Sequence, residues 1–430
     1  MRYVTTGDFL IHAPIPDGHE GIQKIAEYID QADVKITNLE TTITDGSCWA
    51  SAYFCDTALT AGPEILNEFK KLGFQACACC NNHSLDFGSE GLLQTIEYLD
   101  KAGIKHAGTG RDMIQASSPA VIETAEGNVG YIALGAMCVE NESGRAGYSH
   151  DGIPARPGVN CMRHIDESLV TQEQMNYIKA LAKDTMVNAA EDLEVAYGYG
   201  HLDDGTFSYG LAKFRVAEKT GHFSRCNPTD MKRTEDGIRN AVKENGHVVV
   251  SLHTHQFKAR TEDEPDYYAE EFARKCIDAG AESVFMTGNH LLKGIEIYND
   301  RPIFYGLGNF FFQPDYVTEA SADLCEALGF PLELTGPQIV EKRLEKSTAS
   351  METGQIFYLS VIPQWTMENG KLTSMKLMPI ELGLNEPMGR KGIPSPCAPE
   401  KVFDELQRVC NPYGTLLTIN GEFIELVKQN

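Results

Sequence analysis

The alternation of short apolar runs with amphipathic stretches over the first hundred residues constrains this chain more than any other feature. Residues 3–6 read as a strand. Ile22, Ile25, Ala26 and Ile29 then recur at helical spacing, and a second apolar run, 34–39, follows. Pro63 suits a first helical turn, Ile65, Leu66, Phe69 and Leu72 make one face, and Gly73 closes that helix. Residues 74–80 form a third strand. Ser89 is expected to cap a helix with Leu92, Leu93, Ile96 and Leu99 on its face and Gly103 as its stop. Strand and helix in turn are the pattern of a layered α/β domain.

The pattern weakens over 141–228. Thr171 and Gln174 have capping-box spacing before a helix through Ile178 and Leu181. Tyr197, Tyr199, Phe207 and Tyr209 flank Asp203-Asp204-Gly205, which predicts a hairpin between aromatic-bearing strands. The domain reading is therefore 1–140 with 229–430 as the main domain and 141–228 as an insertion, either a lid over a site or a surface subdomain. Regularity returns with a helix over 237–245, strands at 247–252 and 283–287, and a helix over 267–279. Strands at 295–298 and 303–305 flank Asn299-Asp300-Arg301-Pro302 as a hairpin, and a strand over 355–362 and a helix near 399–409 follow.

Composition excludes whole classes of function. With 430 residues, 42% hydrophobic and 23% charged, the chain is an ordinary globular sequence. Lys and Arg number 37 against 61 Asp and Glu, a formal charge of −24. Such a polyanion repels a nucleic-acid backbone, and a long polyanionic polymer fits it poorly as well. A small-molecule or peptide substrate is the expected partner. No run of about 18 apolar residues occurs, so no membrane anchor is expected, and no signal-like apolar core follows the basic start. The twelve cysteines are spread along the chain, which favours a reduced, cytoplasmic protein over a disulfide scaffold. Cys77, Cys79 and Cys80 lack a second Cys-x-x-Cys to complete a zinc site and read as core residues, with Cys77 and Cys79 facing one way and Cys80 the other.

Polar residues of metal-ligand type fall where the predicted strands end. Asp8 follows the first, Asn38 and Glu40 the second, Asn82 and His83 the third, His253 a later one and His290 the next. Loops at the carboxyl edge of an α/β sheet converge, so these five sets of side chains point to one site. Carboxylate, carboxamide and imidazole together suit Mn, Fe, Zn or Mg rather than a thiolate-bound ion. Taken singly, Asp8 could cap a turn, Asn82 could brace a loop, and His83 could be a satisfied core histidine. His255 is either a replacement ligand or a strand-end residue.

At these positions the chain resembles the CapA-type capsule and poly-γ-glutamate synthesis proteins of the calcineurin-like metallophosphoesterase superfamily. The likeness rests on Gly7-Asp8, Asn38-Leu39-Glu40, the block Asn81-Asn82-His83-Ser84-Leu85-Asp86-Phe87-Gly88, Gly294-Ile295-Glu296-Ile297-Tyr298, and Pro302 through Leu307-Gly308-Asn309-Phe310. It implies a four-layer α-β-β-α sandwich with an inserted subdomain and a metal site at one sheet edge. Carried over, Asp8, Glu40, Asn82, His253 and His290 match metal ligands, with Glu40 bridging two ions and Asn82 on the second. His83 matches the histidine facing the leaving group, so His83, Asp8 and His290 are the expected catalytic residues. Asn38, His255 and Asn309 are the expected substrate contacts.

The chain also departs from the superfamily pattern. Leu10 stands where the histidine of an Asp-x-His start would be, although His12 is near. Thr287-Gly288-Asn289-His290 keeps only the last of a paired motif, and His253-Thr254-His255-Gln256-Phe257 replaces His-Trp-Gly-x-Glu-Tyr. One ion, two, or none is compatible with that set. With metal, the resemblance implies hydrolysis of a phosphoester or of an amide such as a γ-glutamyl or peptide bond. Without it, Asp8 or Glu40 opposite His290 would make a two-base epimerase of a peptide or amino-acid derivative. The third reading is a non-catalytic component of capsular polymer synthesis.

Overall fold

The structure is a computed structural model, and it describes residues 1–51, 57–136, 144–200, 205–258, 261–317, 319–346 and 354–427. Strand β1 (Arg2–Leu10) continues through helix α1 (Glu20–Ile29) into β2 (Val34–Leu39), and α2 (Leu66–Lys71) leads to β3 (Ala76–Ala78). Helix α3 (Gly88–Ala102) ends on Gly103 in the left-handed conformation, as its sequence predicts, but its cap is Phe87 and no side chain bonds there. Ser89 lies inside the helix.

Two mixed sheets stack face to face. In the first, of ten strands, β1, β2 and β3 run parallel at the centre, while Leu359–Glu368 pairs antiparallel with the lower half of β1. In the second, of six strands, Gly127–Gly135, β4 (His247–Thr254) and β5 (Ser283–Gly288) are parallel neighbours. Tyr3, Val34, Ile36, Tyr131, Val249 and Phe285 fill one core between the sheets. Val4, Phe9 and Leu39 face outward against α1 and α2 in a second core. Val248, Val250 and Leu252 do the same beneath α4 (Pro228–Asn245) and α5 (Tyr267–Ala279) in a third. Alternation of inward and outward residues along each strand thus builds helix, sheet, sheet, helix in order, the four-layer sandwich expected. A short strand, β6 (Asn309–Phe312), pairs parallel with the upper half of β1 beside Asp8.

A bulge sets the direction of Asp8. Thr5 pairs with Ile36 and Asp8 with Asn38, so three steps on β1 meet two on β2. Tyr3 packs between the sheets, yet Phe9, of the same parity, packs under the helices. The extra residue exchanges the faces and turns Asp8 inward, beside Asn38. Gly7 is required at this bulge because a Cβ there would lie 1.8 Å from the carbonyl oxygen of Gly308.

Within the irregular middle segment, Phe207–Tyr209, Ala212–Val216, His164–Val170 and Gly221–Cys226 make a separate four-stranded sheet in that order. The capping box predicted at Thr171 is formed and opens the helix Gln172–Thr185. The hairpin is displaced from its predicted place. Ala189–Ala196 is helical, Tyr197 ends that helix, and the turn joins Tyr209 to Ala212 instead. Local preference explains this, since Ala, Glu and Leu dominate 189–196. Asp203 and Asp204 lie outside the described residues.

Cys77 and Cys79 pack on the outer core and Cys80 on the inner one, as the strand period predicts. Cys161 is disulfide-bonded, whereas Cys77, Cys79 and Cys80 are free. Among the described residues, no helix is long and apolar enough to cross a membrane.

Candidate metal centre

Because β1 to β5 run parallel within their sheets, their carboxyl ends meet along one rim. Asp8 lies near the end of β1, Asn38 near the end of β2 with Glu40 just beyond, and Asn81, Asn82 and His83 follow β3. His253 lies at the end of β4 with His255 after it, His290 follows β5, and Asn309 opens β6. Asp8, Asn38, Glu40 and Asn309 are completely buried and His253 and His290 nearly so.

The side chains form one connected network. Asp8 Oδ1 accepts from Asn38 Nδ2 at 2.9 Å, and Asp8 Oδ2 accepts from the Gly288 backbone N–H at 3.0 Å. His290 Nδ1 lies 3.4 Å from Asp8 Oδ2 and 2.8 Å from Asn309 Oδ1, and Asn309 Nδ2 donates to the Phe357 carbonyl. His253 Nε2 meets Asn82 Oδ1 at 2.9 Å and His255 Nε2 at 3.2 Å, while its Nδ1 meets Thr287 Oγ1 at 3.0 Å. Backbone conformation contributes too. Gly288 has φ +125° and His290 has φ 59°, the left-handed region that non-glycine residues adopt mainly where structure compels it.

Glu40 stands at the centre. Both carboxylate oxygens are buried without a hydrogen-bond partner, a costly state for such a group. Its Oε1 is 3.6 Å from His253 Nε2. Ligand atoms of Asp8, Glu40 and His290 all lie within 4.8 Å of one another, and so do those of Glu40, His253 and His255. Two donor groups therefore share Glu40. Oxygen and neutral nitrogen donors around an unpartnered carboxylate fit one or two divalent cations.

Charge within the rim follows from burial. Desolvation, then the neighbouring Asp8 carboxylate, holds Glu40 well above the usual carboxylate range. Burial also pushes Asp8 up, but the hydrogen bond and charge of His290 and the charge of His253 outweigh it and hold Asp8 below that range. Burial takes His253 down to about 3 and His255 well below the ordinary imidazole value, so both are neutral ligands at neutral pH.

His83 sits beside this set. Its Nδ1 is 2.8 Å from Asp86 Oδ2, and the same oxygen accepts from the Leu59 N–H. Leu10, at the position where the superfamily has histidine, is buried in the outer core, and His12 bonds the Thr60 carbonyl instead of joining either donor group. Three features escaped sequence reading. Asp86 anchors His83, Thr287 orients His253, and Asn289 Nδ2 donates to the His255 carbonyl at 2.8 Å. Only Asp86 carried a signal, its place three residues after His83 in the Asn-Asn-His block.

Residues 2–314 match the family described as bacterial capsule synthesis protein PGA_cap. The chain belongs to that family. An uncharacterised protein of Sinorhizobium fredii, y4sH, is 31% identical to this PGA_cap protein over 97% of this chain and 90% of its own length. A Mycobacterium tuberculosis protein named probable polyglutamine synthesis accessory protein is 25% identical over 64% of this chain and 55% of its own. A crystal structure of a hypothetical protein from Thermus thermophilus aligns with 89% of this PGA_cap chain and 99% of its own, at 12% identity and a TM-score of 0.38.

Proposed function

We propose that this PGA_cap protein is a metal-dependent hydrolase of a phosphoester or of an amide bond of γ-glutamyl or peptide type. The observation that carries the reading is Glu40, whose buried carboxyl oxygens lack a hydrogen-bond donor and face Asp8 and the His253 imidazole between two groups of ligand atoms. Asp8, Glu40 and His290 would hold one divalent cation, and Glu40, His253 and His255 with Asn82 a second. Bound there, such ions lower the pKa of a coordinated water and neutralise charge building on a phosphoryl or carbonyl oxygen.

The chain's own residues supply the rest. Asp86 holds His83 through Nδ1, which leaves Nε2 as the ring nitrogen that would serve the departing group. Asn38 and Gly288 fix both oxygens of Asp8, and Asn309 fixes His290, so neither ligand needs to reorient. The amide class is included because a relative is named for polyglutamine synthesis.

Assay of purified protein against phosphoesters and γ-glutamyl peptides, with elemental analysis, tests this. Glu40→Gln is expected to lose bound metal and activity together. His83→Asn should keep its metal and lose roughly 10²- to 10⁴-fold in kcat. Hydrolysis that survives both substitutions would overturn the assignment to this site, and chelator-resistant entry of solvent deuterium into an uncleaved substrate would replace hydrolysis with metal-free proton transfer.

A further inference from the structure

A second group of ligand atoms lies away from the rim, where the inserted sheet meets the body. His164 and Asp166 on one strand and His222 and Ser224 on its antiparallel neighbour share a face, with Asp166 opposite Ser224 and Ser168 opposite His222. That face packs on the start of α5: Ser224 Oγ accepts from the Tyr268 N–H, and His164 stacks on the Tyr268 ring at 4.5 Å. Asp266, which caps α5, points into the same place and is 2% exposed.

We propose that Asp166, His222 and Asp266 form a divalent-cation site, separate from Glu40, that clamps the inserted sheet to the body. His222 Nε2 is 3.5 Å from Asp266 Oδ1 and 3.9 Å from Asp166 Oδ1, and ligand atoms of all three residues lie within 4.8 Å of one another. Donors about 2.0 to 2.1 Å from a tetrahedral ion stand roughly 3.4 Å apart, so these spacings match coordination better than direct bonding. Two carboxylates and one imidazole suit Zn²⁺ or Mn²⁺ and leave a position for water.

Asp266 is buried while His222 and Asp166 face solvent in part, so the site opens to water on one side and is braced on the other. Asp166 Oδ2 is held by His164 Nε2 at 2.9 Å, and Asp266 Oδ1 by Ser224 Oγ at 2.6 Å and the Tyr267 N–H at 2.7 Å. His164, its side chain 3% exposed, aims at the cluster with Nε2 while its Nδ1 is buried without a partner. Among the described residues, neither carboxylate pairs with a lysine or arginine. Backing of each ligand by a second group is usual at metal sites. The connection that ends at Asp266 begins at His255, so the clamp also fixes the far end of a loop that starts in the rim.

The test uses full-length protein stripped by a chelator and titrated with Zn²⁺ in a calorimeter. Glu40→Gln removes the rim and should leave one binding step, which disappears in Glu40→Gln/His222→Ala. Asp166→Asn, half-exposed, should weaken that step at least tenfold and serves where the histidine variant fails to fold. An identical step with and without His222 and Asp166, or no step in Glu40→Gln, overturns the proposal. The hydrolase reading fails separately, if Glu40→Gln loses no metal relative to the unaltered protein.

Discussion

Lys293 is 2% exposed, and its ammonium donates to Asn289 Oδ1 at 2.7 Å, directly behind the link from Asn289 to His255. Burial takes its pKa down to about 7, against the partial counteraction of Asp263, Asp266 and Glu262. Unfolded lysine titrates near 10.4. Below about 7 both states hold the proton and the folded chain bears the whole cost of a buried charge. Between about 7 and 10 only the unfolded chain holds it, so stability rises with pH, by at most about 1.4 kcal/mol per unit. Urea denaturation at pH 7 and pH 9 should show that rise in the natural protein and a flatter profile in Lys293→Met; equal slopes would refute it. Gly288 gives a sharper case. Its φ is +125°, and an added Cβ would lie 2.3 Å from the Thr254 carbonyl oxygen, so Gly288→Ala must move the N–H that holds Asp8. Loss of at least about 2 kcal/mol in stability and of metal binding is expected from denaturation and elemental analysis. The ligand residues were legible because each follows an apolar run in a quotable motif. Thr287 and Lys293 were not, since what they touch depends on inter-strand register and on burial that no local pattern records.

At the scale of elements, the strands and helices nearest the site follow their periodicity closely. The helix Tyr267–Ala279 has the expected bounds, and Ile295–Tyr298 pairs with Arg301–Phe304 across Asn299 and Asp300, both at positive φ as a tight hairpin turn demands. The bulge in β1 was not legible. The sequence ends the first strand at Thr6 with Asp8 after it, whereas the strand runs on to Leu10, and the close approach of Gly308 to Gly7 shows that one residue is extra. What holds the bulged strand is an aromatic cluster beneath it. Phe9 stacks on Phe69 at 4.5 Å and meets Phe311 at 4.5 Å and Phe310 at 5.2 Å, all completely buried. Phe9→Ala removes the shared member, and a loss of about 3 to 5 kcal/mol is expected from urea denaturation. A loss under about 1 kcal/mol would mean that the strand is held by its hydrogen bonds and not by this packing.

For the whole molecule, the four-layer plan was accessible because strand order and ligand motifs agreed, whereas the middle segment offered mixed signals and its sheet order did not emerge. Its geometry nevertheless makes it separable. The Asn227 N–H donates to the Arg163 carbonyl at 2.8 Å, so the chain leaves the body and returns to it at neighbouring points. Joining Arg163 to Asn227 through two glycines therefore requires no displacement of β4, β5 or the rim. What is lost is the cover over the start of α5, chiefly Cys226 against Tyr268 and the Asp266 contacts. Those contacts are few beside the three cores, none of which draws more than a few residues from 164–226. The shortened chain should unfold cooperatively, with a melting temperature lowered by a few degrees, and should keep the ions held around Glu40 while losing the Zn²⁺ step assigned to His222. If the segment covers the rim, kcat/KM for a peptide-sized substrate shifts by tenfold or more while that for a small nitrophenyl ester stays put. Loss of the rim metal on excision would instead make the segment part of the site, and the division at Arg163 and Asn227 would not stand.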